Sequence, residues 1–141
     1  DMQEVNEKLM DLGSGRMVIH RRMMFAVAQE IAEKEGMKGL VTGESLSQKS
    51  SQTAANLKAT TETVDLPVLR PLISHSKKEI VAKAREIGTY EDAKIASACS
   101  TMAPDNPRTR MDMQEVRNLE EKVDFDELVE KAVDSVEVIE F

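Results

Sequence analysis

The sequence predicts an α/β fold in which a short, mostly parallel sheet is flanked by helices. Two strand-to-helix units follow one another, at residues 37–60 and 65–88. Each unit begins with a short apolar run, continues through a turn, and ends in a segment with helical apolar spacing. With 141 residues, the chain has the length of one domain or of part of one.

The first unit contains the predicted ligand site. A predicted strand over residues 39–42, with the apolar run Leu40-Val41, is followed by Gly43. Ser45 and Gln48 have the spacing of a capping box at a helix start. In open α/β sheets, ligands bind beyond the carboxyl ends of the strands, where helix N-termini offer free N–H groups. We therefore expect residues 42–48 to line a ligand site. The helix after it should bury one stripe: Leu46, Ser50, Thr53, Ala54 and Leu57.

The second unit begins with a weaker strand at residues 65–72, because its two prolines restrict it to a short or edge strand. Ser76 and Glu79 form a second capping box. The helix that follows should end at Gly88. Its predicted buried stripe comprises Ile80, Val81, Ala84 and Ile87.

Helices are predicted on both sides of these units. Residues 1–12 have the apolar spacing of a helix, with Val5, Leu9 and Leu12 on one face. A longer helix over residues 16–35 should end at Gly36. Its expected apolar face comprises Met17, Met24, Val27, Ala28 and Ile31.

The remaining segments are a long loop and two more helices. Residues 89–110 lack periodicity and contain Cys99, and loops of this length in compact domains are usually functional or disordered. Two helical pieces are expected at about 111–122 and 124–136, the second with Asp124 as its N-cap. We therefore divide the chain into an α/β core of residues 1–110 and an acidic helical tail of 111–141.

Composition excludes several classes of protein. The sequence has no apolar run long enough to span a membrane and no signal-peptide pattern, so we expect a cytoplasmic protein without membrane contact. One cysteine rules out an intrachain disulfide and a multi-cysteine zinc site, and two histidines cannot form a multi-histidine site. No metal site is therefore predicted.

Charge is distributed unevenly along the chain. Residues 112–141 contain eleven acidic and three basic residues, whereas the whole chain has a net charge of −7, so the first 111 residues are close to neutral. The acidic tail is unsuited to nucleic acid. The first part could still face RNA through its basic residues, Arg21, Arg22, Arg70, Lys77 and Lys78, of which Arg21, Arg22 and Lys78 are the predicted RNA or phosphate contacts.

Two features could perform chemistry. Lys77 and Lys78 begin a helix whose dipole they oppose, which suits an anion site, although two solvated lysines would look the same. Cys99 lies in a polar loop, where a thiol can carry or attack a persulfide, although a lone cysteine is often inert. Glu44 and Gln48 could bind a base or ribose, or could simply cap their helix.

Several stretches, in this order, resemble one family. They are Arg16-Met17-Val18-Ile19, Arg21-Arg22-Met23-Met24, Val41-Thr42-Gly43-Glu44-Ser45-Leu46-Ser47-Gln48, Ser51-Gln52-Thr53, Leu66-Pro67-Val68-Leu69-Arg70-Pro71-Leu72-Ile73, the segment from Lys77 to Thr89, and Cys99 ahead of Pro107. Together they resemble the catalytic domain of the tRNA 4-thiouridine synthetase, also known as the thiamine-biosynthesis sulfurtransferase.

The resemblance implies part of a PP-loop pyrophosphatase domain, of the adenine nucleotide alpha hydrolase-like class. ATP, with Mg²⁺, would adenylate a tRNA uridine, and a persulfide sulfur would then displace AMP. Lys77 matches the family's activation lysine, and Cys99 matches its sulfur-transfer cysteine. Gly43, Glu44, Ser45, Gln48 and Arg70 match motifs on the nucleotide-facing side.

The sequence also departs from the family pattern. It lacks the pyrophosphate loop Ser-Gly-Gly-x-Asp-Ser, the N-terminal RNA-binding modules and a second cysteine, and it has Ser76 where relatives often have Asp. We therefore expect the C-terminal part of a catalytic domain, inactive alone. Its expected partners are tRNA, the missing N-terminal half, and a cysteine desulfurase or other sulfur donor.

Two alternatives remain open from the sequence. The chain could be a non-catalytic assembly module that dimerises through an open sheet edge. It could also belong to a different PP-loop enzyme that adenylates an amide or carboxyl substrate, although such an enzyme would not need Cys99 for group transfer.

Overall fold

A computed structural model describes residues 3–46, 52–94 and 102–139. Within these ranges, helices surround one small sheet, so the α/β prediction is confirmed. The elements in chain order are α1 (Gln3–Leu9), a 3-10 helix (Met10–Gly15), α2 (Arg16–Lys34), β1 (Leu40–Val41), α3 (Ala54–Thr61), β2 (Val68–Leu69), α4 (Lys77–Glu86), a 3-10 helix (Asp92–Lys94), α5 (Met113–Glu121) and α6 (Phe125–Asp134).

The sheet consists of β1 and β2, which pair in parallel with Leu40 opposite Val68. Backbone hydrogen bonds extend the pairing at both ends, from Leu40 N to Pro67 O at 2.8 Å and from Thr42 N to Leu69 O at 2.9 Å. Because α3 connects two parallel strands, the chain forms the expected strand–helix–strand unit. Both strands therefore end at the same edge of the sheet.

Helix α2 is the centre of the molecule and contacts α1, α3, α5, α6 and β1. It ends as predicted, with Gly36 at a φ of 68°. The predicted apolar face is wrong in part, since Met24 is 50% exposed whereas Val18, Ile19 and Met23 are fully buried. Helices pack against α2 on a side that the simple stripe did not include, because a central helix is buried over more than one face.

The main core lies between α1, α2, α5 and α6. Val5, Leu9 and Leu12 are buried there as expected. The two C-terminal helices contribute to the same cluster through Val116 and Leu128. The division into a core of residues 1–110 and a tail of 111–141 stays a prediction.

Two predicted N-caps differ from the structure. Asp124 precedes α6 as expected, but its φ of 50° is left-handed and its side chain makes no capping hydrogen bond. Thr53, rather than Ser45, caps α3 by accepting a hydrogen bond from Asn56 N. The described helix therefore begins at Ala54, and the stripe predicted from residue 46 is wrong at Leu46, which is 46% exposed, and at Ala54, also exposed.

Helix α4 combines a confirmed start with a wrong burial prediction. Ser76 and Glu79 form the capping box, and Gly88 ends the helix with a φ of 81°. No residue of α4 is buried, and Ile87 just beyond it is 71% exposed. The apolar stripe exists in the sequence, but Ile80, Val81 and Ala84 are only half-buried in the described structure.

Candidate functional site

The carboxyl ends of β1 and β2 bring several predicted site residues together. Gly43, Glu44 and Ser45 follow β1, and Arg70 follows β2 directly. Since the strands are parallel neighbours, these two segments lie side by side. This is the edge at which open α/β sheets bind ligands.

Glu44 is the centre of this edge. Its side chain is only 4% exposed and accepts hydrogen bonds from two arginines. Arg21 Nη1 lies 2.7 Å from Oε1, and Arg70 Nε lies 2.8 Å from Oε2. Thr42 Oγ1 donates to Oε2 at 3.3 Å. We refer to Arg21, Glu44 and Arg70 as the arginine–glutamate cluster.

The cluster has a formal excess of one positive charge, and its arginine side chains are about one-fifth exposed. Arg70 Nη2 is buried and has no hydrogen-bond partner among the described residues. Guanidinium groups suit the oxygens of phosphate or carboxylate groups, which would reach these two arginines through their exposed part. The arrangement can therefore bind an anion at the end of the sheet.

An open cavity of about 410 Å³ adjoins the cluster. Its volume falls within the range of about 300–1,000 Å³ that is usual for small-molecule sites. Apolar side chains of α2 and β1 form most of it, and Arg21, Thr42, Glu44 and Gln52 supply polar groups. Such a lining can accommodate a flat apolar group whose polar substituents face the cluster.

Ser45 connects this edge to the start of α4. Its hydroxyl donates to His75 O at 2.8 Å, and its backbone N–H donates to Gln52 Oε1 at 3.3 Å. Lys77 and Lys78 begin α4 two and three residues after His75, and both are exposed. The hydrogen bond to His75 therefore holds the start of α4 beside the loop that follows β1.

Arg22 lies apart from this edge. Its Nε is 2.6 Å from Glu120 Oε1, and its Nη1 donates to Ala59 O in the interior. Arg22 is almost fully buried and ties α2 to α3 and α5. These contacts occupy its guanidinium and give no support to its predicted role in binding RNA or phosphate, which stays a prediction.

The structure gives no support for a role of three other predicted site residues. Gly43 is exposed, and a Cβ added there would meet no atom within 4 Å, so nothing in the described structure requires glycine. Cys99 and Gln48 lie outside the described residues, so their roles stay predictions.

Sequence reasoning missed Thr42 and Gln52 as individual site residues. Thr42 contacts Glu44, and Gln52 accepts from Ser45 N. Both belong to the stretches that suggested the family, so the signal was available there.

His20 is a buried titratable residue near the cluster. Burial, followed by the positive charge of Arg21, lowers the pKa of His20 below its usual value of 6.5. Its Nδ1 has no hydrogen-bond partner among the described residues. His20 is therefore held in its neutral form at neutral pH.

The described residues contain neither a group of metal-ligating side chains nor a membrane-spanning helix. No group of three or more histidine, cysteine, aspartate or glutamate residues is placed to hold a metal ion there. None of the described helices is long and apolar enough to cross a membrane.

Comparison with known proteins identifies relatives. The family described as thiamine biosynthesis protein (ThiI) matches residues 1–125. A probable tRNA sulfurtransferase of Finegoldia magna is 40% identical over 124 residues, which cover 86% of this chain and 32% of that protein. A probable tRNA sulfurtransferase of Bacillus subtilis is 38% identical over 125 residues, which cover 87% of this chain and 31% of that protein.

A solved structure shows the same fold. The crystal structure of a 4-thiouridine synthetase–RNA complex with bound ATP matches 99% of this chain with a TM-score of 0.86 and 37% identity. The match covers 38% of that protein's chain, and this chain spans about a third of the length of the curated relatives above. The predicted PP-loop fold and family resemblance are thus confirmed, and the chain belongs to the thiamine biosynthesis protein (ThiI) family.

Proposed function

We propose that this chain supplies part of the nucleotide-facing site and the sulfur-transfer thiol of an ATP-dependent tRNA sulfurtransferase. The observation that supports this most directly is the arginine–glutamate cluster at the carboxyl ends of two parallel strands. Family membership and the relative with bound ATP and RNA add support. The pyrophosphate loop, the RNA-binding modules and the sulfur donor would come from outside this sequence.

In the proposed first step, uridine O4 attacks the α-phosphorus of ATP and pyrophosphate leaves. Negative charge moves onto the phosphate oxygens, and a nearby cation stabilises that change. Lys77 is our candidate for this cation, because Ser45 and His75 hold the start of α4 beside the nucleotide-facing edge. Mg²⁺ would supply further charge neutralisation when it is bound with the ATP.

In the proposed second step, the terminal sulfur of a persulfide attacks C4 of the adenylated uridine and AMP leaves. A thiolate then attacks the sulfur–sulfur bond, which forms a disulfide and releases 4-thiouridine. Cys99 is either the persulfide carrier or the attacking thiolate. Because the sequence has one cysteine, the other thiol must come from elsewhere. The same sulfur could also serve thiazole formation in thiamine synthesis.

The test uses a hybrid enzyme, in which this chain replaces the matching segment of the Bacillus subtilis relative. Cys99→Ser should release pyrophosphate at a normal rate but form no 4-thiouridine. Lys77→Ala should slow pyrophosphate release itself by about 100-fold, the usual effect of removing one charge-stabilising group. The matched control is Lys83→Ala, an exposed lysine on the same helix that should change neither step.

The two steps are measured separately, as pyrophosphate released and 4-thiouridine formed in tRNA. Full thiolation by both the Cys99 and the Lys77 variants would contradict the proposal. Loss of activity in Lys83→Ala as well would show that any change in α4 disrupts the enzyme, which would remove the specific role of Lys77.

A second candidate function is a non-catalytic assembly module. The observation in its favour is the exposed apolar surface of the small sheet, where Val41 and Leu69 both lie largely open. Light scattering of the 141-residue chain separates the two functions. A stable dimer whose association does not change when ATP or tRNA is added favours the module. A monomeric chain whose sequence gives an active hybrid enzyme favours the enzyme.

A further inference from the structure

Two arginines distant in sequence converge on one carboxylate at the nucleotide-facing edge. Arg21 belongs to the first turns of α2, whereas Arg70 follows β2, and Glu44 lies between them in the chain. Glu44 uses a different oxygen for each arginine. One buried side chain therefore fixes the positions of two guanidinium groups from two separate elements.

The contacts of Glu44 leave it poorly suited to bind a ligand itself. Its side chain is almost fully buried, both oxygens already accept from guanidinium groups, and Oε2 also accepts from Thr42. The arginines are the more exposed members of the cluster, and Arg70 has a buried donor, Nη2, without a partner among the described residues. A ligand would therefore contact the partly exposed arginines rather than the glutamate.

We propose that Glu44 is a positioning residue, which holds Arg21 and Arg70 so that their partly exposed side chains bind a phosphate group. The proposal rests on the proposed function, since it assumes that this edge faces the substrates. It changes the role predicted for Glu44, from a group that contacts the nucleotide to one that orients the groups that do. The phosphate has two possible sources, ATP and the tRNA backbone.

Orientation and charge predict opposite effects when Glu44 becomes glutamine. The glutamine has nearly the same shape, but the substitution removes one negative charge and raises the net charge of the cluster. If Glu44 acted only through its charge, a phosphate would then bind more tightly. If Glu44 positions the arginines, Glu44→Gln leaves both side chains more mobile. Phosphate must then immobilise them when it binds, so it binds more weakly.

The experiment measures the Kd of the hybrid enzyme for ATP and, separately, for tRNA, together with KM, kcat and the melting temperature. For Glu44→Gln we expect a rise of about 10-fold in Kd and KM for the substrate whose phosphate is bound, which corresponds to about 1.4 kcal/mol. The kcat should fall less than KM rises. Arg70→Lys, which keeps the charge but loses the planar fork, should weaken binding of the same substrate.

The matched control is Glu120→Gln. Glu120 also pairs with a largely buried arginine, Arg22, at 2.6 Å, but in the interior, where Arg22 also contacts α3. This variant should lower the melting temperature while leaving the Kd for ATP and for tRNA unchanged. A general effect of breaking a buried ion pair would instead change binding in both glutamate variants.

Each outcome decides the proposal. Weaker binding of ATP or tRNA in Glu44→Gln, with no such change in Glu120→Gln, supports it and identifies the source of the phosphate. Tighter binding, unchanged binding of both substrates, or equal weakening in both variants overturns it. If the unmodified hybrid binds ATP but forms no 4-thiouridine, the proposed function fails, while the Kd comparison still tests Glu44.

Discussion

Asn56 provides a sharp test of how the chain is held together. It lies fully buried in α3 and bridges that helix to the segment before α5. Its Oδ1 accepts from Met111 N at 3.0 Å, and its Nδ2 donates to Arg108 O at 2.9 Å. The substitution Asn56→Ala removes both hydrogen bonds and leaves two backbone groups without these partners.

The expected cost follows from the burial of those groups. Met111 is buried, so leaving its N–H without a hydrogen-bond partner should lower the free energy of unfolding by about 1–3 kcal/mol. Arg108 is exposed, so water can hydrogen-bond to its carbonyl instead. This second loss should lower the free energy of unfolding by about 1 kcal/mol or less. We therefore expect the free energy of unfolding to fall by about 1–4 kcal/mol.

Urea unfolding of the 141-residue protein, followed by circular dichroism, measures this change as a lower midpoint at constant slope. The matched control is Asn118→Ala on the exposed surface of α5, where the amide only accepts from Gln114 at 3.0 Å. That variant should change stability by less than about 0.5 kcal/mol. Equal effects of the two substitutions would refute the reasoning.

Three further substitutions test local features. Gly15→Ala should destabilise by about 1 kcal/mol, because its new methyl group would lie 2.5 Å from Leu119 Cδ1 and the end of that side chain must move; chemical denaturation measures the loss, and an unchanged midpoint contradicts the packing. Ser76→Ala should cost the start of α4 about 1 kcal/mol, seen as faster amide exchange confined to its first turns. The pKa of His20 is lowered in the folded protein, so as the pH falls below 6.5 the unfolded chain binds a proton more readily than the folded one. The free energy of unfolding should therefore decrease, by at most about 1.4 kcal/mol per pH unit. In His20→Gln that part of the pH dependence should vanish, and an unaltered profile would assign it to other groups.

The sequence predicted local structure better than burial. Capping residues and glycines act within one turn of chain, so the capping box at Ser76 and the helix ends at Gly36 and Gly88 were predicted correctly. Burial depends on which elements pack against a helix, and this is a property of the whole fold. The stripe on α4 looked like a core face, yet none of its residues is buried in the described structure.

The sequence predicted the residues of the site individually, but not the contacts between them. Glu44 and Arg70 were assigned to the nucleotide and Arg21 to RNA or phosphate, and no spacing rule connects positions so far apart in sequence. Their contact follows from the parallel pairing of β1 with β2 and from the packing of α2 on β1. Only the tertiary structure shows that Glu44 uses one carboxylate oxygen to bind Arg21 and the other to bind Arg70.

Arg21 and Arg22 show why neighbours in sequence cannot share one functional assignment. Successive residues of an α-helix point about 100° apart, so the two side chains leave α2 in different directions. Arg21 meets Glu44 at the open end of the sheet, whereas Arg22 meets Glu120 and the backbone of α3 in the interior. The two pairs have similar distances, so geometry alone does not separate a substrate site from a structural ion pair. The distinction lies in what surrounds them: Arg21 lines an open cavity, whereas packed helices enclose Arg22.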